Sequence, residues 1–415
     1  MNWQAIKKIT AVHIGVFLAL MLIVLSPHLS PRLPSALLGL LGAWLAWKYR
    51  SSLFASEAAR RLAIIFALLL IPILASIPAS YDWRHSSLVA VAVGLYFLVG
   101  VALIHALRGD AERLWLAKWI TVIMLVWAVD GLIQYIFGRD LLGIPLYKDG
   151  RVTGFFARGN MSLSNIFAML LPIALWYLLR KNVLAMLAFF ILAVVIAIVV
   201  GSRNALVMMS VVLVGMWLRL PRRYSVGLIA VVLVMVGAIG LSPIMQERMQ
   251  RFSGLGTMTF EKYDHLASGR LTIWETAVRM IVDRPLTGVG AGMFAKVYEK
   301  YSTRPNDPFL DGGSYGRSLP AHNVYLSIAA ESGIFGLLCI IAAFVLCVKW
   351  YFKAPPSRRD LAWPYAFGLL IAMFPLSIEH TLYVHYFFPI ALLLLAATLT
   401  ALSQPLEASG QIKKV

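Results

Sequence analysis

The feature that most constrains this chain is a series of long, unbroken apolar runs joined by mostly short polar connections. Most runs approach the length needed to cross a hydrocarbon core of ~30 Å, and they lack the two-residue alternation of barrel strands. Inside lipid every backbone polar group needs an internal partner, so spanning segments are helices or closed barrels; unbroken runs select helices. Composition agrees: of 415 residues, 60% are hydrophobic and only 13% charged, where soluble domains carry roughly 25% charged residues. The expected fold is an all-α polytopic membrane protein. About twelve spans are expected, at about 9–26, 34–49, 62–79, 86–107, 115–137, 161–179, 183–200, 204–219, 225–241, 323–349, 361–380 and 385–403. The first run follows Lys7 and Lys8 like a signal peptide, but Ser26-Pro27-His28 has no small-x-small cleavage pattern, so it is kept as a span.

Lys and Arg sort the loops into two sets. One set holds, among others, Lys7, Lys48, Arg60, Arg61, Arg108, Arg113, Arg180, Arg219, Arg222, Lys349, Arg358 and Lys413. The opposite short loops hold only Arg32, Arg84, Arg139, Lys148, Arg151, Arg158 and Arg203. The richer set is expected to be cytoplasmic, with both termini inside. This topology accounts for much of the net charge of +18, so a nucleic-acid partner is not expected and the membrane lipids are. The expected organisation is spans one to nine in 1–241, a large outer loop in 242–322, spans ten to twelve in 323–403 and a tail in 404–415. Cys339 and Cys347 share one run, more than two helical turns apart, so they cannot bridge and read as packing residues.

The outer loop is the long polar interruption, with helices expected at about 244–252 and 268–283, the second amphipathic. Residues 302–318, rich in Pro, Gly, Asp and Ser, read as a mobile segment. Gly288, Gly290 and Gly292 have no following Lys-Ser/Thr, so a tight turn is favoured over a nucleotide loop. Four outer arginines carry two readings each. Arg203, in the turn Gly201-Ser202-Arg203-Asn204, and Arg158, beside Gly159 and Asn160 at the start of span six, are headgroup anchors or anion ligands. Arg270, at the start of the amphipathic helix, and Arg284, before Pro285-Leu286, are solvated charges or anion ligands. Together they point to an anion site, because a guanidinium pairs two oxygens at once and does not deprotonate.

His322 stands where the loop meets span ten, between Ala321 and Asn323. It reads either as a cap at the helix start or as a general base, since an imidazole titrates near neutral pH. Glu331 lies roughly two and a half turns into the span, too far along to orient His322 directly; an acid so placed needs a partner or a polar cavity. His380, Glu379 and His385 at the last outer turn read as a turn anchor or as site lining. No His, Cys or carboxylate cluster has metal-ligand spacing, so no metal is expected. Asp130 and Gln134 in span five are the residues that favour a transporter, where polar groups lie within the bilayer.

Taken in order, these residues resemble the O-antigen ligase/polymerase superfamily. The resemblance rests on His322-Asn323-x-x-Leu326 with Glu331-x-Gly333 and Gly336, on Ser268-Gly269-Arg270 with Trp274, on Pro285-Leu286-x-Gly288-x-Gly290, on Gly201-Ser202-Arg203, and on Gly154-Phe155-Phe156 through Asn160. It implies a bacterial inner-membrane glycosyltransferase that acts at the periplasmic face without metal or cofactor and inverts the transferred sugar. The donor would be an undecaprenyl-diphosphate-linked glycan and the acceptor lipid A-core. His322 would be the base, Arg203 and Arg270 would hold the diphosphate, and Arg158, Arg284, Asn160 and Asn323 would assist substrate binding. The ligase branch is expected over polymerases and protein O-oligosaccharyltransferases because the loop is moderate in size and little chain follows the last span. A lipid-glycan flippase or transporter is the expectation from another class.

Overall fold

The computed structural model describes residues 10–25, 32–147, 150–156, 162–220, 237, 260–267, 269–304, 307–310, 321–374 and 387–403. The helices are α1 (Ala11–Val24), α2 (Arg32–Lys48), α3 (Glu57–Ser76), α4 (Trp83–Ala106), α5 (Asp110–Phe137), α6 (Ser162–Leu179), α7 (Val183–Val200), α8 (Arg203–Trp217), α9 (Phe260–Leu266), α10 (Arg270–Asp283), α11 (Phe294–Tyr301), α12 (Val324–Lys353), α13 (Pro356–Ala372) and α14 (Phe387–Ser403). No strand occurs among the described residues. Helices α1–α8 and α12–α14 overlap expected spans one to eight and ten to twelve, with α13 starting five residues before the expected 361; the ninth span, 225–241, residues 375–380 of the eleventh and the expected helix at 244–252 lie outside the described residues. Glu57–Ala79, Trp83–Ala106, Asp110–Phe137, Val183–Val200 and Val324–Lys353 are long and apolar enough to cross a membrane, and Ala11–Val24, Leu163–Leu179, Asn204–Trp217 and Phe387–Ser403 are shorter apolar helices.

Local chemistry sets the helix ends. Side chains of Asp82, Asn182, Ser202 and Asn323 accept first-turn N–H groups of α4, α7, α8 and α12. Gly138 and Gly201 close α5 and α7 in the left-handed conformation that L side chains disfavour. The outward faces stay apolar: Leu40, Leu88 and Leu338 are 69%, 68% and 59% exposed, as suits helices facing lipid rather than water. Between helices, small residues permit close approach. A Cβ on Gly42 of α2 would lie 1.8 Å from the Leu98 carbonyl oxygen of α4, and one on Gly368 of α13 would lie 2.5 Å from that of Met169 in α6.

Contacts at the helix ends orient the bundle. At one end Arg61 of α3 lies over the Trp350 ring of α12, and Arg219, just after α8, pairs with Asp360 of α13. Arg113 of α5 is there too, paired with Asp110, whose carboxylate also meets Arg358 of α13. At the other end the Tyr325 hydroxyl of α12 donates to the Met373 carbonyl after α13 (2.7 Å). Arg284 donates to the carbonyl of Ala79, just beyond α3. Since α8 and α13 run antiparallel, the start of α8 lies at the same end as Tyr325. Arg203, Arg284 and His322 therefore share one end of the bundle, as the loop-charge pattern requires.

Residues 269–304 and 307–310 form a folded unit at that end. Ile273, Ala277 and Met280 of α10, Val289, Phe294, Val297 and Tyr298 pack with Phe309, Ala321 and Ala330 into a core separate from that of the bundle. Within the segment expected to be mobile, residues 307–310 are packed instead: Asp307, 3% exposed, accepts hydrogen bonds from the hydroxyls of Tyr298 and Ser302, and Phe309 is 2% exposed.

Candidate active site

The site is built on a break in α12. Gly333 takes φ 70° and ψ −175°, so residues 324–332 form a separate segment above the part that continues to Lys353. The carbonyls released by the break are not left bare. Val289 N–H donates to Ala330 O (2.9 Å), Gly290 N–H to Glu331 O (3.0 Å), and Ile334 N–H to Pro285 O (2.7 Å). The strap 285–294 is thus laced to the break by backbone bonds, which buried polar backbone requires. Its glycines allow the approach: a Cβ on Gly288 would lie 2.4 Å from the Glu331 carbonyl carbon, and one on Gly333 2.2 Å from Leu286 O. This is the physical basis for the tight turn expected there.

Glu331 completes the clamp. It is 2% exposed, and its Oε1 accepts the Phe294 N–H at the start of α11 (3.2 Å). The carboxylate therefore fastens the strap rather than reaching along its helix toward His322. The strap is fixed on its other side by the connection between α3 and α4. Ser86 Oγ donates to Ala291 O (3.0 Å), Tyr81 N–H donates to Val289 O (3.2 Å), and Ser80 packs against Gly290. Arg284 braces the same connection: it donates to Ala79 O, pairs with Asp283 (3.6 Å) and lies 4.2 Å from the Tyr81 ring centroid.

His322 sits at the top of this assembly. It is half-buried, and among the described residues it is the non-glycine with positive φ, 49°. Left-handed backbone disfavours a side chain by about 1 kcal/mol, so the neighbours must hold it. They do so from both sides. Asn323 Oδ1 accepts the N–H groups of Tyr325 (3.0 Å) and Leu326 (3.1 Å), capping α12. On the other side Trp274 Nε1 donates to Ala321 O (2.9 Å). Trp274 is one turn along α10 from Arg270, so both lie on one helix face. Arg270 itself is half-buried at the first position of α10. That helix start is held by Asp264, whose carboxylate accepts from the N–H (3.1 Å) and hydroxyl of Thr272. The Trp274 bond thus joins the first turns of α10, the helix that Arg270 begins, to the residue just before His322.

The other expected residues approach from the bundle. Arg203 is the first residue of α8, and the neighbouring Asn204 donates to Asn165 Oδ1 of α6 (3.1 Å), joining the starts of two helices. Arg158, Asn160, His380 and His385 lie outside the described residues. The outer connection before α6 is organised by the residues that favoured a transporter. Gln134 Oε1 accepts from the N–H groups of Thr153 and Gly154 (both 2.7 Å), its Nε2 donates to Ile144 O and Pro145 O (both 3.2 Å), and Asp130 accepts from Leu141 N–H (2.9 Å). Their burial serves a loop, which removes the sequence feature favouring transport. No cluster of three metal-ligating side chains forms among the described residues.

The family described as "O-Antigen ligase" matches residues 152–341, from the turn held by Gln134 to the middle of α12. Over that region, somewhat less than half of the chain, the sequence is similar to the O-antigen ligase/polymerase superfamily. The match takes in Arg203, Arg270, Arg284, His322 and the whole clamp around Gly333. Members of the superfamily are membrane glycosyltransferases, so the match supports glycosyl transfer in general. No curated protein matches the chain. Sequence reasoning singled out His322 and Arg270 but missed that Trp274, on the helix Arg270 begins, bonds the carbonyl of Ala321 beside His322. The signal was the one-turn spacing from Arg270 to Trp274, whose indole N–H needs a partner when buried.

Proposed function

We propose that the protein is an O-antigen ligase: it transfers a glycan from undecaprenyl diphosphate to a sugar hydroxyl of lipid A-core at the periplasmic face of the inner membrane. The observation that carries this is the pairing, within the matched family region, of a strained histidine at a helix start with an arginine on the helix that pins it. In this reaction an imidazole nitrogen of His322 takes the acceptor hydroxyl proton. The freed oxygen attacks the anomeric carbon from the side opposite the diphosphate, so the new glycosidic bond is inverted. The bond from the anomeric carbon to the diphosphate oxygen breaks, and the diphosphate leaves with its electron pair. Arg270 and Arg203 stabilise that charge, which needs neither metal nor proton donor. Arg158, Asn160 and Asn323 border the substrates, while Arg284 supports the strap.

The test incubates purified protein in EDTA with undecaprenyl-diphosphate glycan and, separately, lipid A-core, a second donor molecule or a peptide. Glycan appearing on lipid A-core supports the proposal. Product only on a second donor would make the chain a polymerase, and product only on the peptide a protein O-oligosaccharyltransferase. Activity that requires an added divalent ion would overturn the metal-independent mechanism.

A further inference from the structure

We infer that the end of the bundle opposite His322 holds a binding site for an anionic phospholipid, with acyl chains in an apolar cleft and the phosphate between Arg219 and Arg359. The cleft has a volume of about 850 Å³ and lies between α3, the end of α8, α12, α13 and α14. Its walls are almost wholly apolar, with Phe66, Ala343, Phe367 and Ala391 among them. Along α12 it runs from Ile340 to Phe352, about 18 Å of helix, slightly more than one leaflet's share of a ~30 Å hydrocarbon core. A space of this size and character inside a bilayer accepts hydrocarbon chains, since nothing else in that medium is apolar and mobile.

Charge selects the headgroup. Polar side chains gather at one end of the cleft: Arg219, Arg359, Asp360 and Tyr351. Arg219 pairs with Asp360, donates to the Tyr351 hydroxyl (2.9 Å) and lies 5.3 Å from the Trp363 ring centroid. Arg359 has a buried Nε with no hydrogen-bond partner. Two guanidiniums thus face one carboxylate, and Lys349 and Lys353 stand exposed on the adjoining turns of α12. The excess is positive, and an arginine Nε–H directed at a phosphate oxygen would complete a charge-assisted pair. A zwitterionic lipid would bring a second cation into this end. On the proposed reaction, on which this point rests, the donor's diphosphate lies beside His322 at the far end of α12, so the donor is not the occupant of this end.

Full-length protein in detergent is titrated with phosphatidylglycerol and, separately, with phosphatidylcholine of the same chains, and bound lipid is counted by native mass spectrometry. Phosphatidylglycerol is expected to bind at least tenfold more tightly. Arg359→Gln should remove most of that preference, and it disturbs no hydrogen bond of the Nε. Ala366→Trp, which fills the cleft, should abolish binding of both lipids. An elution volume and thermal transition like wild type establish that each variant is folded. Equal binding of the two lipids by wild type, an undiminished preference in folded Arg359→Gln, or retained lipid in folded Ala366→Trp would each overturn the site. So would a dimer that occupies the cleft and is not dissociated by phosphatidylglycerol.

Discussion

Gly333→Ala is the sharpest perturbation of the clamp. The residue sits at φ 70° and ψ −175°, a region essentially reserved for glycine, where another residue costs of order 1–3 kcal/mol. Its Cβ would fall 2.2 Å from Leu286 O and 2.6 Å from Thr287 N. Both are backbone atoms, so the strap itself must move. Displacing it weakens the three bonds at Ala330, Glu331 and Pro285, each worth about 0.5–1.5 kcal/mol net. The total is about 3 kcal/mol or more. Since 1.4 kcal/mol is a factor of ten, the amides of Val289, Gly290 and Ile334 should exchange with deuterium about a hundredfold faster. The measurement is hydrogen exchange by mass spectrometry on peptides covering 285–294 and 330–336. Gly94→Ala is the internal control: a Cβ there meets nothing within 4 Å, and a helix interior gains about 1 kcal/mol from the change. Exchange should stay at the wild-type rate in the control. If Gly333→Ala also matched wild type, the clamp as described would be wrong.

Three further outcomes follow from the site. His322→Asn should fold normally, because asparagine tolerates the left-handed backbone, while transfer falls by about 10²–10⁴, the share of a general base; near-normal glycan attachment by this variant would remove His322 from that role. Arg203→Lys should cripple transfer, because an ammonium cannot replace a bidentate fork, and full activity of the lysine variant would leave Arg203 as a headgroup anchor. Trp274→Phe removes the bond to Ala321 O and should lower kcat more than it raises KM, with local exchange at 321–323 rising about tenfold for a loss of roughly 1–1.5 kcal/mol; unchanged kinetics and exchange would show that the indole does not position His322.

The helical spans, the strongly basic loops and the polar island before span ten were all legible in the sequence, because each is a local property. Run length and the need to satisfy backbone groups within lipid dictate helices wherever the run occurs. Capping is equally local, yet the cap expected at the start of α12 was His322, whereas it is Asn323 that accepts the first-turn N–H groups there. The helix beginning at Arg270 was also expected from its amphipathic pattern.

What tertiary structure decided was the meaning of the isolated polar residues. Glu331 bonds a backbone N–H at Phe294, Trp274 reaches Ala321, Arg284 reaches Ala79, and Gln134 holds Thr153 and Gly154. In sequence alone Glu331 was an acid in need of a partner, Arg284 was divided between a solvated charge and an anion ligand, and Gln134 pointed to transport. Each contact joins segments separated by many residues, so no periodicity encodes it; it exists only once the helices pack and bring a donor to an acceptor. Sequence by itself determined that this chain crosses a membrane as helices and presents a histidine where a polar loop meets one of them. Only the packed structure decided that the histidine's helix is broken at Gly333 and laced to a glycine strap, because burying a broken helix requires backbone partners from elsewhere in the chain.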